Sequence, residues 1–353
     1  MADTNELIMP SSSHIALLPS SGMGHLTPFL RLAHLLASCN VKSSRLLSSL
    51  LCSVSPPLSA LVTDMSLTAA VVPITEALKI PNFIFFTSSA KMLTLFVSFH
   101  TLAGSKANAN SYEMDYIKIP TLEPIPRSWI PPSLLQDTNN LLKTYIIENG
   151  KSMTKSDGIL VNTLESIEQS SLLALNGGKV IEGLPLVTAI GLLPPLYFED
   201  HQPLAWLDDQ PAGSVVYVSF GSRTAITREQ LRELGNGLVG SGFLSHCGWN
   251  SVTEAMWHGV HVLAWPQHGD QKINADLVER IGLGTWEKSW SWGGGEIVMR
   301  EQIAEKIKEV MGNKLLRSQA MRIREEARNG IELGRGSKKG LTELIKMLKK
   351  ERS

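Results

Sequence analysis

An α/β fold of two Rossmann-like, doubly wound domains is what this sequence predicts, and three observations carry the prediction. Short apolar runs that read as buried strands alternate with longer segments of helical apolar spacing, which implies βαβ units and parallel sheets. The alternation occurs in both halves of the chain. The chain has 353 residues, a length that suits two domains, each with its own core.

Taken in order, residues 14–19 (HIALLP) are the first strand. The glycine-bearing SSGMGHLTP reads as a turn and residues 29–38 (FLRLAHLLAS) as a helix. A second strand over 58–63 ends at Asp64, a helix follows over 68–78, and residues 82–87 (NFIFFT) make a third strand. Between 107 and 136 the chain is rich in proline and polar residues, which excludes a long helix. Helical spacing resumes over 139–149, DGILVN (157–162) is a strand, and 165–175 a helix. Residues 184–195 (LPLVTAIGLLPP) read as a linker. In the second half, 214–220 and 260–265 are strands, 242–245 is short and apolar, 227–239 and 250–258 are helical, and 300–350 is charged and helical. The resulting division is a disordered tail over 1–13, a first domain over 14–190, a linker over 191–204, a second domain over 205–335 and a C-terminal helix over 336–353.

Charge excludes some functions. Lys+Arg and Asp+Glu both number 33, and a balanced surface does not favour nucleic acid or an anionic membrane as partner. The three cysteines, Cys39, Cys52 and Cys247, form no CxxC pair, which points to a reducing compartment. The N-terminus has no basic region followed by an apolar stretch, so it does not read as a signal peptide, and the expected location is the cytoplasm. Residues 80–99 approach the length of a membrane span. Thr87, Ser88, Ser89 and Lys91 interrupt the run, and a central lysine opposes insertion by about 2.5–3.5 kcal/mol. A buried strand followed by a buried helix is the expected outcome.

The chemistry concentrates in residues 243–271, FLSHCGWNSVTEAMWHGVHVLAWPQHGDQ. A strand ends at Ser245 and a helix starts within a few residues. Open α/β sheets bind ligands at strand carboxyl ends, and a helix N-terminus offers N–H groups and a positive dipole end to a diphosphate. His246, Asn250 and Ser251 stand where the phosphates would lie. Glu254, one turn on, can accept hydrogen bonds from a ribose diol, and Asp270 and Gln271 can bind sugar hydroxyls. The plainer reading is that Ser251 and Glu254 form a helix capping box and that His246 is satisfied by backbone. No Asp-x-Asp metal motif occurs, GMGHLT lacks the third glycine of a dinucleotide fingerprint, and there is no Walker A sequence. The runs SWSWGGGE and RIREEAR read as a surface loop and a solvated helix face.

This string resembles the second two-thirds of the signature of plant family 1 UDP-glycosyltransferases. The HCGWNS core, the Glu four places after the Asn, and the Asp-Gln pair after WPQHG all match. HIALLPSSGMGHLTP, SFGS and the charged helical tail extend the likeness. The resemblance implies a GT-B fold of two facing domains with the active site in the cleft between them, no cofactor and no metal, a UDP-sugar as co-substrate, and a monomer. It implies that His246, Asn250 and Ser251 contact the diphosphate beside Gly221 and Ser222, that Glu254 holds the ribose, and that Trp249, Asp270 and Gln271 contact the hexose, glucose being the sugar associated with Gln271. His25 of GMGHLTP falls on the catalytic base. A free imidazole titrates near 6.5 and a phenol near 10, about 3.5 units apart. The proton must therefore leave the acceptor as it attacks the anomeric carbon, in one displacement that inverts that centre. Alone, His25 would read as a capping or buried structural residue.

The sequence also departs from the family. The signature opens with a Trp and, three places on, a Gln that recognise uracil and ribose. Those places fall on Arg228 and Leu231. The strands that normally separate SFGS from HCGWNS are absent, and between residues 38 and 58 only a Ser/Leu-rich stretch remains, so both domains are shortened by internal deletion. Asp64 takes the strand-end position and Ala69 the position of the carboxylate that pairs with the catalytic His, so His25 is expected to lack its usual partner. The segments FFTSSAKMLTLFVSFHTLAGS and EAMWHGVHVLAWPQHGDQKINA look closest to flavonoid C-glucosyltransferases. C-glucosylation of a dihydrochalcone or 2-hydroxyflavanone is the leading expectation. Phenol O-glucosylation and a catalytically silent isoform are the alternatives, and a nicotinamide-dependent reductase rests on fold analogy alone.

Overall fold

The apolar runs of the first half become parallel strands because each is followed by a segment that covers a sheet face. The computed structural model describes residues 14–38, 42–44, 57–104, 115–120, 122–135, 140–196, 205–211, 214–222, 225–238, 242–290 and 296–329. The tail over 1–13 and the helix expected over 336–353 lie outside the described residues. The chain divides into two units, Met1–Pro194 with Gly330–Ser353, and Pro195–Asn329.

The first unit runs β1 (His14–Leu18), α1 (Met23–Ser38), β2 (Lys42–Ser44), β3 (Ala60–Asp64), α2 (Thr68–Leu78), β4 (Asn82–Phe86), α3 (Ala90–Gly104), β5 (Tyr116–Ile117), β6 (Ile125–Pro126), α4 (Pro132–Leu135), α5 (Leu141–Ser152), β7 (Gly158–Val161), α6 (Gln169–Asn176) and β8 (Val187–Ala189). Six of the strands form one sheet in the order β2-β1-β3-β4-β7-β8, and every pairing is parallel. The chain moves outward from β1 in one direction to β2 and then in the other to β3. The gap between the carboxyl ends of β1 and β3 is thus the topological switch point, where open sheets bind ligands. Ile15, Leu17, Phe29, Leu32, Phe83 and Phe85 share one core, with the Phe29 and Phe85 rings 5.1 Å apart.

Three sequence readings are corrected in this unit. The helix after β1 begins at Met23, not at residue 29, because Leu26 N–H already bonds Gly22 C=O at 2.9 Å. Pro28 therefore lies inside α1, and Gly22 makes the tight entry with φ +101°. The supposed linker holds β8, whose Val187 is clamped at both backbone groups by the Asn176 carboxamide, at 2.8 and 2.9 Å. The Ser/Leu-rich stretch contains β2, paired with β1.

The 80–99 run divides as expected into β4 and the start of α3. The buried Glu168 carboxylate accepts from the Ala90 and Lys91 N–H groups at 2.9 and 2.8 Å, which caps α3. No helix among the described residues is long and apolar enough to cross a membrane.

The second unit runs α7 (Ala205–Asp208), β9 (Val216–Ser219), α8 (Arg228–Gly237), β10 (Gly242–Ser245), α9 (Trp249–His258), β11 (Val262–Ala264), α10 (Gln271–Arg280), β12 (Gly284–Trp286), α11 (Arg300–Gly312) and α12 (Lys314–Asn329). Its sheet is parallel and four-stranded, ordered β12-β11-β10-β9. Here α8 connects β9 directly to β10. Thr227 caps it by accepting from Gln230 N–H at 3.2 Å. The Gln230 carboxamide bonds both backbone groups of Val298 at 2.9 Å. Leu234 enters the core with Leu244, Leu263, Trp265, Ile303 and Ile307. The SWSW run is not all surface: Trp290 is buried with its ring 4.5 Å from that of Trp265. In RIREEAR, Ile323 and Ala327 turn inward at helical spacing, Arg324 is half-buried, and Arg322, Glu325, Glu326 and Arg328 meet solvent.

In the first unit, α5 crosses α3 at Gly150, where a Cβ would come 2.7 Å from Phe96 C=O. Because the obstacle is backbone, Gly150→Ala is expected to cost about 1–3 kcal/mol, read as a lower urea midpoint with an unchanged slope.

Candidate active site

Each unit carries its own cluster of chemically able residues. In the first, His25 lies in the opening turn of α1, directly after the switch-point strand. Its Nδ1 is 2.9 Å from Asp64 Oδ2, and the Thr87 hydroxyl lies 3.1 Å from the same nitrogen. Asp64 is the last residue of β3 and is fully buried. Its other oxygen, Oδ1, accepts from Ser66 N–H at 2.9 Å and from the Ser66 hydroxyl. A carboxylate can only accept, so the network assigns the proton to Nδ1. Nε2 then carries the lone pair, on a side chain 29% exposed. This is the constitution of an oriented general base.

The expectation that His25 lacks a carboxylate is therefore wrong. The position thought to matter, Ala69, instead gives its backbone N–H to Asn149 Oδ1 at 3.0 Å. The strand-end Asp64 is the partner because β1 and β3 pair directly, Leu18 opposite Thr63, which brings the end of β3 beside the start of α1. Residues 39 positions apart gave no local signal of this contact. Tyr145 of α5 was also missed: burial, helped by the Asp64 charge and opposed by Ser66, pushes its phenol above the ordinary range.

In the second unit, β9 and β10 end side by side, Ser219 opposite Ser245. His246 follows, with its backbone N–H and its ring Nδ1 both 3.1 Å from Ser219 C=O. That carbonyl assigns the Nδ1 proton and leaves Nε2 between two glycines. A Cβ on Gly221 would sit 2.6 Å from Nε2, and one on Gly248 2.5 Å. Gly221 also needs its left-handed φ of +75°. Burial lowers the His246 pKa, partly offset by the Ser219 carbonyl and Asp270, so near neutral pH it is an uncharged hydrogen-bonding group.

Gly248 is the N-cap of α9, with no side-chain cap. Ser251 lies inside the first turn, so the capping-box reading of Ser251 and Glu254 does not hold. The opening N–H groups of a helix have no acceptor within it, and with the dipole they favour an anion. Trp249, Asn250 and Ser251 occupy that turn, and Glu254 follows one turn later. Asn274, missed by the sequence reading, donates from Nδ2 to Asp270 Oδ2 and to Cys247 C=O, both at 3.0 Å. Its i,i+4 spacing from Asp270 was the available signal. Gln271 turns its carboxamide into its own loop, accepting from Gln267 and His268 N–H at 2.8 and 3.0 Å and meeting His268 Nδ1 at 3.0 Å. Trp249 is buried at 3% exposure. Gly221 and Ser222 are exposed beside the cluster. Arg228 and Leu231 lie in the first turn of α8, Leu231 56% exposed. Among the described residues no group of three or more His, Cys, Asp or Glu could hold a metal.

A family profile described as "UDP-glucoronosyl and UDP-glucosyl transferase" matches residues 230–325. The chain is 39% identical to UDP-glycosyltransferase 708G2 of Citrus unshiu, over 95% of this chain and 96% of that one. It is 34% identical to UDP-glycosyltransferase CGT of Oryza sativa subsp. indica, over 96% and 98%. The Citrus alignment runs over 458 positions against 353 residues here, so the relative carries internal segments that this chain lacks. Among solved structures, LpCGTa in complex with UDP superposes with TM-score 0.83 at 36% identity, over 95% of this chain and 99% of that one. The fold is thus GT-B, built of two Rossmann-like units.

Two outcomes follow from the buried groups. His246 and His261 both titrate lower in the folded chain because of burial, His261 also because of Arg317. The unfolded chain takes up these protons near pH 6.5, so their contribution is full above that pH and lost as pH falls through it. The urea midpoint should drop between about pH 7.5 and about pH 5.5, and less steeply in His246→Gln. Cys247 is fully buried, which pushes its thiol far above the usual range. Peptide mapping after iodoacetamide treatment should find Cys247 unmodified in the native protein and alkylated once it is unfolded.

Proposed function

This chain belongs to the UDP-glycosyltransferase family, and from that premise we propose that it transfers glucose from UDP-glucose to a flavonoid-like phenol, with inversion, forming a C-glycoside. The observation that carries the proposal is the His25–Asp64 pair at the switch point, with Nε2 left as the basic nitrogen.

The chain's residues divide the work. In the second unit the opening turn of α9 and neutral His246 hold the diphosphate, with Asn250, Ser251, Gly221 and Ser222 around it. Glu254 accepts from the ribose diol. Asp270, fixed by Asn274, accepts from hexose hydroxyls. Trp249 and Gln271 act by shaping the walls, since both are engaged within their own unit. In the first unit His25 Nε2 takes the acceptor's phenolic proton as the attack proceeds. Asp64 holds the ring and offsets the positive charge that then develops on it. The ring carbon beside the ionising hydroxyl becomes the nucleophile and forms the bond to the anomeric carbon. The bond from that carbon to the diphosphate oxygen breaks and its electron pair leaves with UDP. Loss of the proton on the attacking carbon restores the aromatic ring. The names of the rice relative and of the UDP-bound structure support this reading. Attack by the phenolic oxygen would give the O-glucoside from the same base.

A silent, donor-poor isoform is the second reading. It is favoured by Arg228 and Leu231, a charged residue and an exposed aliphatic one where the family's uracil and ribose contacts fall. Base stacking is worth about 1–3 kcal/mol in other proteins.

The deciding experiment incubates the purified chain with UDP-glucose and phloretin and follows products by mass spectrometry. A hexose adduct that survives acid hydrolysis is expected, and His25→Ala should lower its rate by about a hundredfold or more. An acid-labile adduct would move the assignment to O-glucosylation. No adduct, with no UDP-glucose binding by calorimetry from folded protein, would establish the silent reading.

A further inference from the structure

Among the described residues, Lys79 and Cys247 are the non-glycine positions with a left-handed backbone. Lys79 is the C-cap of α2, where that conformation is ordinary. Cys247, at φ +62°, stands instead between His246 and the N-cap Gly248. Its peptide groups therefore aim both the imidazole and the opening N–H groups of α9. A side chain disfavours this conformation, so the surroundings must hold it. Two contacts do so. Cys247 N–H donates to the nearby Ser245 Oγ at 3.1 Å, and Cys247 C=O accepts from Asn274 Nδ2 at 3.0 Å. Asn274 comes from α10, 27 residues further along the chain.

The same nitrogen donates to Asp270 Oδ2, also at 3.0 Å. A carbonyl and a carboxylate can only accept, so both contacts require the amide nitrogen there, and its two protons serve one acceptor each. Asn274 is fully buried, and its own N–H bonds Asp270 C=O at 3.0 Å, which fixes the carboxamide at the start of α10. We propose that Asn274 is a positioning residue that couples the two parts of the donor site. Through Cys247 it holds the turn assigned to the diphosphate, and through Asp270 it holds the carboxylate assigned to the hexose. The consequence for nucleotide binding rests on the function proposed above; the dependence of the left-handed turn on Asn274 does not.

The test uses Asn274→Ala, Cys247→Gly and the double variant, each in the full chain. Ile307→Val, in the core of the same unit, controls for general destabilisation. The first readout needs no ligand: peptide mapping after iodoacetamide, at a temperature where every variant is folded by circular dichroism. Asn274→Ala should alkylate Cys247 by roughly three- to tenfold faster than Ile307→Val, because the turn opens locally. The second readout is calorimetry with UDP and with UDP-glucose. Asn274→Ala should weaken both by roughly three- to tenfold. Glycine adopts the left-handed conformation without strain, so Cys247→Gly added to Asn274→Ala should restore UDP affinity to within about twofold of wild type. UDP-glucose should stay weaker, since Asp270 is still unheld. A purely structural role would give no rescue that separates the two ligands. An Asn274→Ala chain that alkylates no faster than Ile307→Val would overturn the proposal. A double variant in which both ligands recover together would overturn the coupling to Asp270. If wild type binds neither nucleotide, the functional reading fails, and the alkylation result alone decides whether Asn274 holds the turn.

Discussion

One buried carboxylate organises the first unit. Asp64 is removed from solvent, and an anion there is tolerable only if every oxygen is satisfied. The fold supplies the partners from two separate stretches of chain. The turn after β3 gives Ser66 and the start of α1 gives His25. For these to meet, β1 and β3 must pair directly and the chain must reverse between them, which is what the strand order provides. Gly22 lets α1 start early enough for His25 to face the end of β3, and Gly150 lets α5 lie close enough to α3 to present Asn149 to the Ala69 N–H. The sheet order and the early helix start are thus both consequences visible at a single charge.

The second unit uses a steric device. His246 stands between Gly221 and Gly248, both too close to its Nε2 for any side chain to be added. The two glycines have different local reasons as well, a left-handed turn after β9 and the N-cap of α9. A single imidazole thereby links the end of β9 to the first turn of α9. Because burial keeps it neutral, it adds hydrogen-bonding capacity to a helix N-terminus without adding a fixed charge.

Strand and helix identity was legible where runs were long and flanked by turn residues. The 68–78 helix and the 82–87 strand fall where periodicity and composition place them. Three-residue strands such as β2, β8 and β12 carry no periodicity of their own and exist because a neighbour pairs with them. The helix start at Met23 was hidden by Pro28, which locally argues for a later beginning. The His25–Asp64 contact, the Gln230–Val298 clamp and the burial of Trp290 are long-range outcomes, and spacing along the chain does not encode them. The HCGWNS string was informative for the opposite reason: strand end, imidazole, N-cap and first helical turn follow one another closely there.

The absent segments can also be weighed physically. The sequence reading locates them between α1 and β3 and between β9 and β10. Among the described residues β9 stands at the sheet edge with Tyr217 64% exposed, a liability for edge-to-edge association. Yet α8 still closes over the core, because Leu234 finds Ile303 and Ile307, and Gln230 satisfies both backbone groups of Val298. The elements that build the proposed anion-binding turn are β9, β10 and α9, and those that build the proposed base are β1, α1 and β3. All six are present. What shortening removes from a parallel sheet is lateral extent, whereas ligand chemistry in this fold class is set at strand carboxyl ends, and the ends of β1 and β3 and of β9 and β10 still pair side by side. The shortened chain is therefore expected to be weakened first in edge protection, so its soluble, associated and aggregated fractions, more than the geometry of its proposed site, are where the missing segments should be felt.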